Sequence, residues 1–430
     1  MPSTPEPPFA GRVYAGSAPP YAPTPALARD IRVETVVIGA GFTGLSTALH
    51  LAEHGRSVAL LEAHEPGWGA AGRNGGQVNA GLKHEPDVVV RHLGVEYGPR
   101  LVRLAGGAPE FLFGLIERLG IQCEARRSGT LRVARRLALE DALRDSVDQW
   151  QRLGVAMELW SKPRLAAAIG SDYYSAGSFD PRGGSVNPLG LARGLALSAQ
   201  RAGCQVYCNT RGTRLERRVD GWNVTTPGGR IDAESVVLAT DGYSDDLWPG
   251  LKTSIVPIFG AIVATEPLDP SLARTIVPGG QSVYESGTIT VYFRRDRHDR
   301  LLMGGRGPQR PATDRRDYAH LVAYARTLWP ELASAAWTHG WNGQFAMTPD
   351  FYPRLHAPAP GLYIGLGYSG RGVALGIAMG AELAKASMGA PIGSLALPVT
   401  PIPRIRFHRL WRVGVALGVA AARLHDRFGG

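Results

Sequence analysis

A chain of 430 residues with 44% hydrophobic and 20% charged side chains has the make-up of an ordinary globular protein and is long enough for two domain-sized cores. Its net charge of +10 comes from 43 arginines and 4 lysines against 37 acidic residues, scattered rather than blocked, so the basic stripe expected of a nucleic-acid partner is missing. No run reaches the roughly 18 apolar residues of a membrane span, and the three cysteines, Cys123, Cys204 and Cys208, form no CxxC pair. These features predict a cytoplasmic protein of a reducing compartment, with no membrane span, no nucleic-acid partner and no metal centre.

Residues 1–30 hold eight prolines and read as an irregular N-terminal arm. VETVVIG (33–39) is a short β-branched run, TGLSTALHLAEHG (43–55) has helical spacing with a closing glycine, and RSVALLEA follows as a strand ending at Glu62. This is a βαβ unit, the entry to a parallel sheet. Between 111 and 160, helical segments flank a strand-like GTLRVA; LGLARGLALSAQRAG (189–203) is a further amphipathic helix, leading into CQVYCN, where Cys204 and Cys208 share a strand. Three strand-like runs end at SVVLATDG, a strand-rich region covers 254–305, and a helix is expected near 318–328. The strand LYIG, the helix VALGIAMGAELA and a basic amphipathic tail helix close the chain.

GAGFTG (39–44) occupies the turn between the first strand and the first helix. There Gly39 permits a tight turn, Gly41 lets a pyrophosphate reach the backbone and helix N-terminus, and Gly44 lets helix and strand pack closely. Glu62 stands where a carboxylate accepts hydrogen bonds from an adenosine ribose. The stretch GWGAAGRNGGQVNAG (67–81) carries six glycines, too many for a stable helix or an interior strand. Its backbone amides suit the pyrophosphate or ring system of a long cofactor, which favours FAD over a nicotinamide cofactor. GYSGRG (367–372) is a second strand-to-helix turn of the same type, so two turns can hold the two ends of one extended cofactor.

The segments VVIGAGFTGLSTALHLAEHG, GWGAAGRNGGQ, SVNPLGLARGLA, VVLATDGYS and GLYIGLGYSGRGVALGIAMGAELA, in that order, resemble the FAD-dependent amine and amino-acid oxidases of the D-amino-acid oxidase superfamily, most of all its γ-glutamylputrescine oxidase branch. The resemblance implies an α/β fold: a Rossmann-like FAD-binding domain from 31–118, 159–248 and 343–392, and a mixed or antiparallel-sheet substrate domain from 119–158 and 249–342. The N-terminal arm (1–30) and a C-terminal arm with its basic helix (393–430) complete the chain. It places Gly39, Gly41, Phe42, Thr43 and Gly44 at the FAD pyrophosphate, and Glu62 and Ala63 at the adenosine ribose. Arg73, Asn74, Gly75, Gly76 and Gln77 run beside the pyrophosphate and isoalloxazine, where the glycines make room for the flavin. Gly212, where relatives carry an aliphatic residue, meets adenine through its backbone. Gly370, Arg371, Gly372 and Val373 meet the flavin pyrimidine edge, where a helix N-terminus stabilises negative charge; relatives often carry His in place of Arg371. No cysteine lies near the C-terminal turn and no histidine within 70–76, so the FAD is expected to be non-covalent.

The chemistry the resemblance implies is removal of hydride from a carbon bearing an amine; the imine is hydrolysed and O2 is reduced to H2O2. Such a reaction needs positioning rather than an acid–base triad. Sarcosine-type relatives bind the substrate carboxylate with a lysine where this chain has Ala374, so an amine whose carboxylate is distant or absent is expected, as in γ-glutamylated polyamines. Tyr292, Trp341 and Tyr368 are the expected pocket walls. Lys83, just beyond the glycine loop, is the candidate cation for oxygen chemistry. The same motifs also fit a dehydrogenase that passes electrons to a quinone or a protein, and a flavin-binding assembly protein without turnover.

Overall fold

The computed structural model describes residues 12–136, 139–287 and 290–418. The run IRVETVVI forms the strand Ile31–Ile38 inside an eight-stranded sheet. It pairs in parallel with Gly229–Leu238 on one side and Val58–Leu61 on the other, and Leu362–Leu366 and Gln205–Tyr207 extend the parallel set outward. Arg354–Ala359 closes one edge antiparallel, and Arg214–Arg218 and Gly221–Thr226 form a hairpin leading into Gly229–Leu238. Successive side chains point to opposite faces. Val37 therefore enters the core shared with the helices Phe42–Glu53, Pro188–Arg201 and Ala374–Ser387, while Val36 and Ile38 join Trp222, Ile231 and Leu362 on the other face. Burial on both faces is what a parallel sheet requires.

A second eight-stranded sheet runs in the order Trp337–Met347, Val256–Thr265, Leu301–Arg306, Tyr292–Arg295, Ser282–Glu285, Thr130–Ala134, Ala176–Asp180, Glu158–Ser161. It is antiparallel except where Ser282–Glu285 lies beside Thr130–Ala134. Ala176–Asp180 belongs to this sheet although it lies past the segment boundary expected at residue 158. Its partner Thr130–Ala134 is more than 40 residues away, so the pairing has no local signal. A two-stranded ribbon, Gln77–Val78 with Gly184–Ser185, ends the glycine loop against the second sheet.

Three further details depart from expectation. Pro86–Leu119 is one long helical segment, interrupted at Gly94 (φ 75°), where only the part after 111 was expected to be helical. Cys204 and Cys208 flank Gln205–Tyr207 rather than share it, and all three thiols are buried and free. The N-terminal arm is not wholly irregular: the short helix Arg12–Ala15 buries Val13 and Tyr14 against Ile262 and Trp341 of the second sheet. The end of the expected tail helix, 419–430, lies outside the described residues. Among those residues no helix is long and apolar enough to cross a membrane.

Candidate functional site

The first glycine turn has the form its sequence predicts. Gly39 adopts φ +105°, and a Cβ there would lie 2.8 Å from the Ala239 carbonyl oxygen. A Cβ on Gly44 would lie 1.9 Å from the Gly39 carbonyl oxygen, so only glycine lets helix and strand approach. Gly41 differs from both, since its Cβ would meet nothing nearer than the Ala71 Cβ at 3.8 Å. The helix Phe42–Glu53 starts from Gly41 with no side-chain cap and no acidic residue in its first turn, which leaves a positive helix end open for an anion. Beside it, the Glu62 carboxylate accepts from the Ala40 amide (2.8 Å) and the His64 amide (3.0 Å). Burial pushes this carboxyl's pKa up, and those amides oppose the shift. The chain leaving Gln205–Tyr207 runs alongside, with the Asn209 amide donating to the His64 carbonyl and the Thr210 amide to the Glu62 carbonyl. That path seats Gly212 under Ile38 and Val224.

The glycine loop shows a correction. Its glycines make room mainly for protein. A Cβ on Gly72 would meet the Gly67 carbonyl oxygen at 2.2 Å, on Gly75 the Tyr292 ring at 2.6 Å, and on Gly76 (φ +68°) the Val186 carbonyl oxygen at 2.1 Å. Asn74 organises the loop: its amide nitrogen donates to the Ala70 and Ala71 carbonyls and its side-chain oxygen accepts from the Gly76 amide. Arg73 donates through Nε to the Trp68 carbonyl and lies over the Trp68 ring. Gln77 is buried and donates to the Val283 and Phe293 carbonyls, which staples the loop to the second sheet and engages its side-chain amide there.

Two expected pocket walls brace this loop instead. The Trp341 indole donates to the Arg73 carbonyl (2.8 Å), and the Tyr292 ring is held between Gly75 and Gly304. Tyr14 from the N-terminal arm adds a third brace, its hydroxyl donating to the Asn74 carbonyl at 2.7 Å. Trp341 is buried and engaged, so it is not a free wall; Tyr292 is half-buried, with part of its ring packed on the two glycines.

The second turn lies against the first. The Tyr368 hydroxyl and Thr43 Oγ1 are 2.6 Å apart, Ser46 donates to the Ile377 carbonyl, and Thr47 donates to the Gly380 carbonyl. Tyr368 is thus a buried strut between the two turns rather than a pocket wall. The helix Ala374–Ser387 begins after Val373, again with no side-chain cap and no acid in its first turn, and Gly370 (φ +89°) has nothing within 4 Å of a Cβ. Gly372 packs on the Tyr368 ring. Asp241, which sequence reasoning passed over inside VVLATDGYS, holds this turn in place. Its carboxylate accepts from the Gly367 amide (2.9 Å) and the Ala346 amide (3.0 Å).

Arg371 reaches away from the turn, donating to the Ala80 carbonyl (3.1 Å) and the Tyr284 hydroxyl (3.0 Å). With Arg132 and Lys83 it makes a cluster of three cations. The Lys83 side chain is exposed at the edge of this cluster. Desolvation, with Arg371 and Arg132 adding repulsion, brings its pKa down to about 8. Next to these groups lies a polar cavity of about 30 Å³. Arg371 is the one predicted site residue in its lining, which also includes Arg132, Glu85, Asn79 and Tyr284.

Comparison with known proteins decides the class of this site. The family model described as DAO, FAD dependent oxidoreductase, matches residues 34–386. The chain belongs to this family. Gamma-glutamylputrescine oxidoreductase of Escherichia coli (strain K12) is 32% identical over 97% of this chain and 98% of its own. Probable oxidoreductase OrdL of Rhizobium meliloti (strain 1021) is 32% identical over 87% of this chain and 88% of its own. Among solved structures, glycine oxidase from Geobacillus kaustophilus superposes with a TM-score of 0.73 at 22% identity, covering 87% of this chain and 99% of that one. The fold is therefore that of the DAO enzymes, and the chain is an FAD-dependent oxidoreductase.

The residues present fit FAD. Two uncapped helix N-termini lie side by side, a Cβ added at Gly41 or Gly370 would meet no protein atom nearer than 3.8 Å, and the Glu62 carboxylate is partly accessible with lone pairs beyond those its two amides engage. Together these features make a DAO-family cofactor cradle.

Proposed function

We propose that the protein oxidises the C–N bond of an amine of the γ-glutamylputrescine kind to an imine, which water hydrolyses to a carbonyl compound and a free amine, with O2 taking up the two electrons as H2O2. FAD, when bound, supplies the two-electron acceptor for the C–H hydride. The observation that carries this reading is the pair of uncapped helix ends joined through Thr43 and Tyr368, in a chain similar along 97% of its length to an enzyme named for γ-glutamylputrescine. In this reading the amides at Gly41, Phe42 and Thr43 hold the pyrophosphate, Glu62 and Ala63 the ribose, and Gly212 the adenine. Backbone of Arg73–Gln77 borders the ring system, and Gly370–Val373 face its pyrimidine edge. The first sheet with its helices is the FAD-binding domain and the second sheet the substrate domain.

Position favours a substrate without a carboxylate on the reacting carbon. The second helix starts with Ala374, which is buried and brings no cation to that end. A panel of amines and amino acids screened for H2O2 release tests the reading: γ-glutamylputrescine is expected to be turned over far better than sarcosine or D-alanine. The reverse preference would reject the assignment of substrate class. Air-insensitive flavin, once reduced by amine, would reject oxygen as the acceptor in favour of a quinone or protein.

The cofactor is expected to be held without a covalent bond. All three thiols are buried in the core, and neither the turn at 367–372 nor the stretch 70–76 holds a cysteine or histidine. Acid precipitation of the yellow protein should leave all of the flavin in the supernatant as FAD; colour in the pellet would contradict this.

Lys83 is the residue to which we assign the oxygen step, because its ammonium offers positive charge for the negative charge that forms on O2. With a pKa of about 8, that ammonium is lost as the pH rises, so reoxidation in the parent protein should slow above pH 8. Lys83→Met should reoxidise at least about tenfold more slowly below pH 8 while anaerobic reduction by amine proceeds normally. The fold should tolerate it. A lysine pKa depressed from 10.5 means that the charged form costs stability below about pH 8, a cost that fades as the pH rises from there towards 10.5. Stopped-flow traces of equal rate for parent and variant would remove Lys83 from the mechanism.

A further inference from the structure

Resting on the amine-oxidation reading, we propose that the polar cavity beside Arg371 takes a zwitterionic amino-acid head group, an ammonium and a carboxylate on one carbon, at the end of the substrate remote from the amine that is oxidised.

The lining offers both halves of the necessary chemistry. On the donor side, Arg132 gives Nη1 to Glu85 (2.6 Å) and Nε to Ser286 (2.9 Å), which leaves its other terminal nitrogen for a ligand. The Tyr284 hydroxyl accepts from Arg371, so its own proton is free to donate. On the acceptor side, Asn79 Oδ1 and Ser178 Oγ are buried lining atoms without a hydrogen-bond partner. Buried polar atoms are rarely left so, and these two offer acceptors to whatever polar group occupies the cavity. Glu85 adds a carboxylate whose oxygens accept one bond each, from Arg132 Nη1 and from Ser146 Oγ (2.7 Å), and keep further lone pairs, whereas Asp180 is taken up by three hydrogen bonds from Arg182.

Charge selects among ligands. A free diamine would bring a second cation towards Arg132 and Arg371, and like charges in a recess repel strongly. A simple anion would leave Asn79 Oδ1 and Glu85 facing negative charge. A zwitterion satisfies both sides at once. Arg371 connects this site to the cofactor cradle, since it belongs to the second glycine turn and its guanidinium lines the cavity. A head group held here leaves the distal amine to extend towards that turn, in keeping with the absence of a cation at Ala374.

The test is anaerobic stopped-flow reduction of the holoenzyme, followed by loss of flavin absorbance, over a range of concentrations of γ-glutamylputrescine, N-acetylputrescine and putrescine. N-acetylputrescine keeps the amide and the distal amine but lacks the zwitterion. The reduction rate should half-saturate at a γ-glutamylputrescine concentration at least about tenfold lower than for either of the others, the scale of a lost charge-assisted hydrogen-bond set. Arg132→Gln should lower the preference for γ-glutamylputrescine over N-acetylputrescine by about tenfold or more. Should that variant fail to fold for want of its ion pair with Glu85, Asn79→Ala serves, since Asn79 Oδ1 has no hydrogen bond to lose; it should lower the same preference by several-fold. A γ-glutamylmethylamide ligand, which has the head and no distal amine, should raise the Tm of the parent holoenzyme. Equal half-saturating concentrations for all three amines, or no Tm shift, overturns the head-group site and leaves amine oxidation standing. Failure of every amine to reduce the flavin overturns amine oxidation, and the head-group site with it.

Discussion

Gly41→Val is expected to give a folded, colourless protein, and Gly44→Ala a markedly destabilised one. Both glycines belong to one six-residue motif, yet the structure assigns them opposite surroundings. The Gly44 Cβ would lie 1.9 Å from a backbone oxygen, so the helix Phe42–Glu53 would have to lift off the sheet, and the buried contacts of Leu45, Leu49 and Thr47 beneath it would go. Neighbouring backbone cannot give way as a flexible side chain can, and overpacking at such a place costs about 1–3 kcal/mol or more, a large part of a typical domain's stability. The Gly41 Cβ would enter space free of protein, with only Ala71 nearby at 3.8 Å, and the φ of −80° there suits any residue. The apoprotein therefore has no reason to object to valine, while a pyrophosphate approaching the helix end would collide with it. Circular dichroism and thermal unfolding of both variants, with the ratio of flavin to protein absorbance, check the pair. A yellow Gly41→Val protein would show that the pyrophosphate does not pass there.

Asp241→Ala should lower stability by about 2–6 kcal/mol, because two buried backbone amides, of Gly367 and Ala346, would each lose an acceptor at about 1–3 kcal/mol. Asp241 also adopts φ +38°, where alanine is strained and asparagine is tolerated better. Asp241→Asn should accordingly lose less, since its oxygen keeps one of the two amides. Burial raises the Asp241 pKa above its ordinary 3.8, so its ionised form costs stability near neutrality. That cost diminishes as the pH falls through the raised pKa towards 3.8, and this residue does not drive acid unfolding. The position also matters for the cofactor. Asp241 fixes the second glycine turn to the strand Trp337–Met347, so weaker FAD retention should accompany the stability loss even in Asp241→Asn. Urea unfolding midpoints and FAD release on dilution measure the two effects. An Asp241→Ala protein with the parent's midpoint would show that other groups hold the turn.

The reading of residues 86–119 shows where sequence patterns fail. Pro99, Pro109 and five glycines argue against a helix over this span. The segment is nonetheless helical because Leu101, Val102, Ala105, Leu112 and Phe113 bury one face in the core, and Gly94 absorbs the break. Tertiary burial overrides propensity there. The place of Ala176–Asp180 in the second sheet has a related reason, since one of its two hydrogen-bonding partners, Thr130–Ala134, is more than 40 residues away in sequence.

The turn Gly39–Gly44, the strands Ile31–Ile38 and Leu362–Leu366, their helices and the carboxylate Glu62 were legible from the sequence alone, because backbone conformation at a glycine turn and the burial of an alternating run are decided within a few residues. Tertiary structure alone decided which glycines face open space and which face Tyr292 or Val186, and that Tyr368 and Trp341 are struts. It alone also gathered Asn79, Arg132, Ser178, Tyr284 and Arg371 around one cavity. Those five residues span most of the chain, and only Asn79 and Arg371 sit in the glycine-rich motifs; their meeting depends on how two sheets and a glycine loop pack, and no local run of residues encodes that packing.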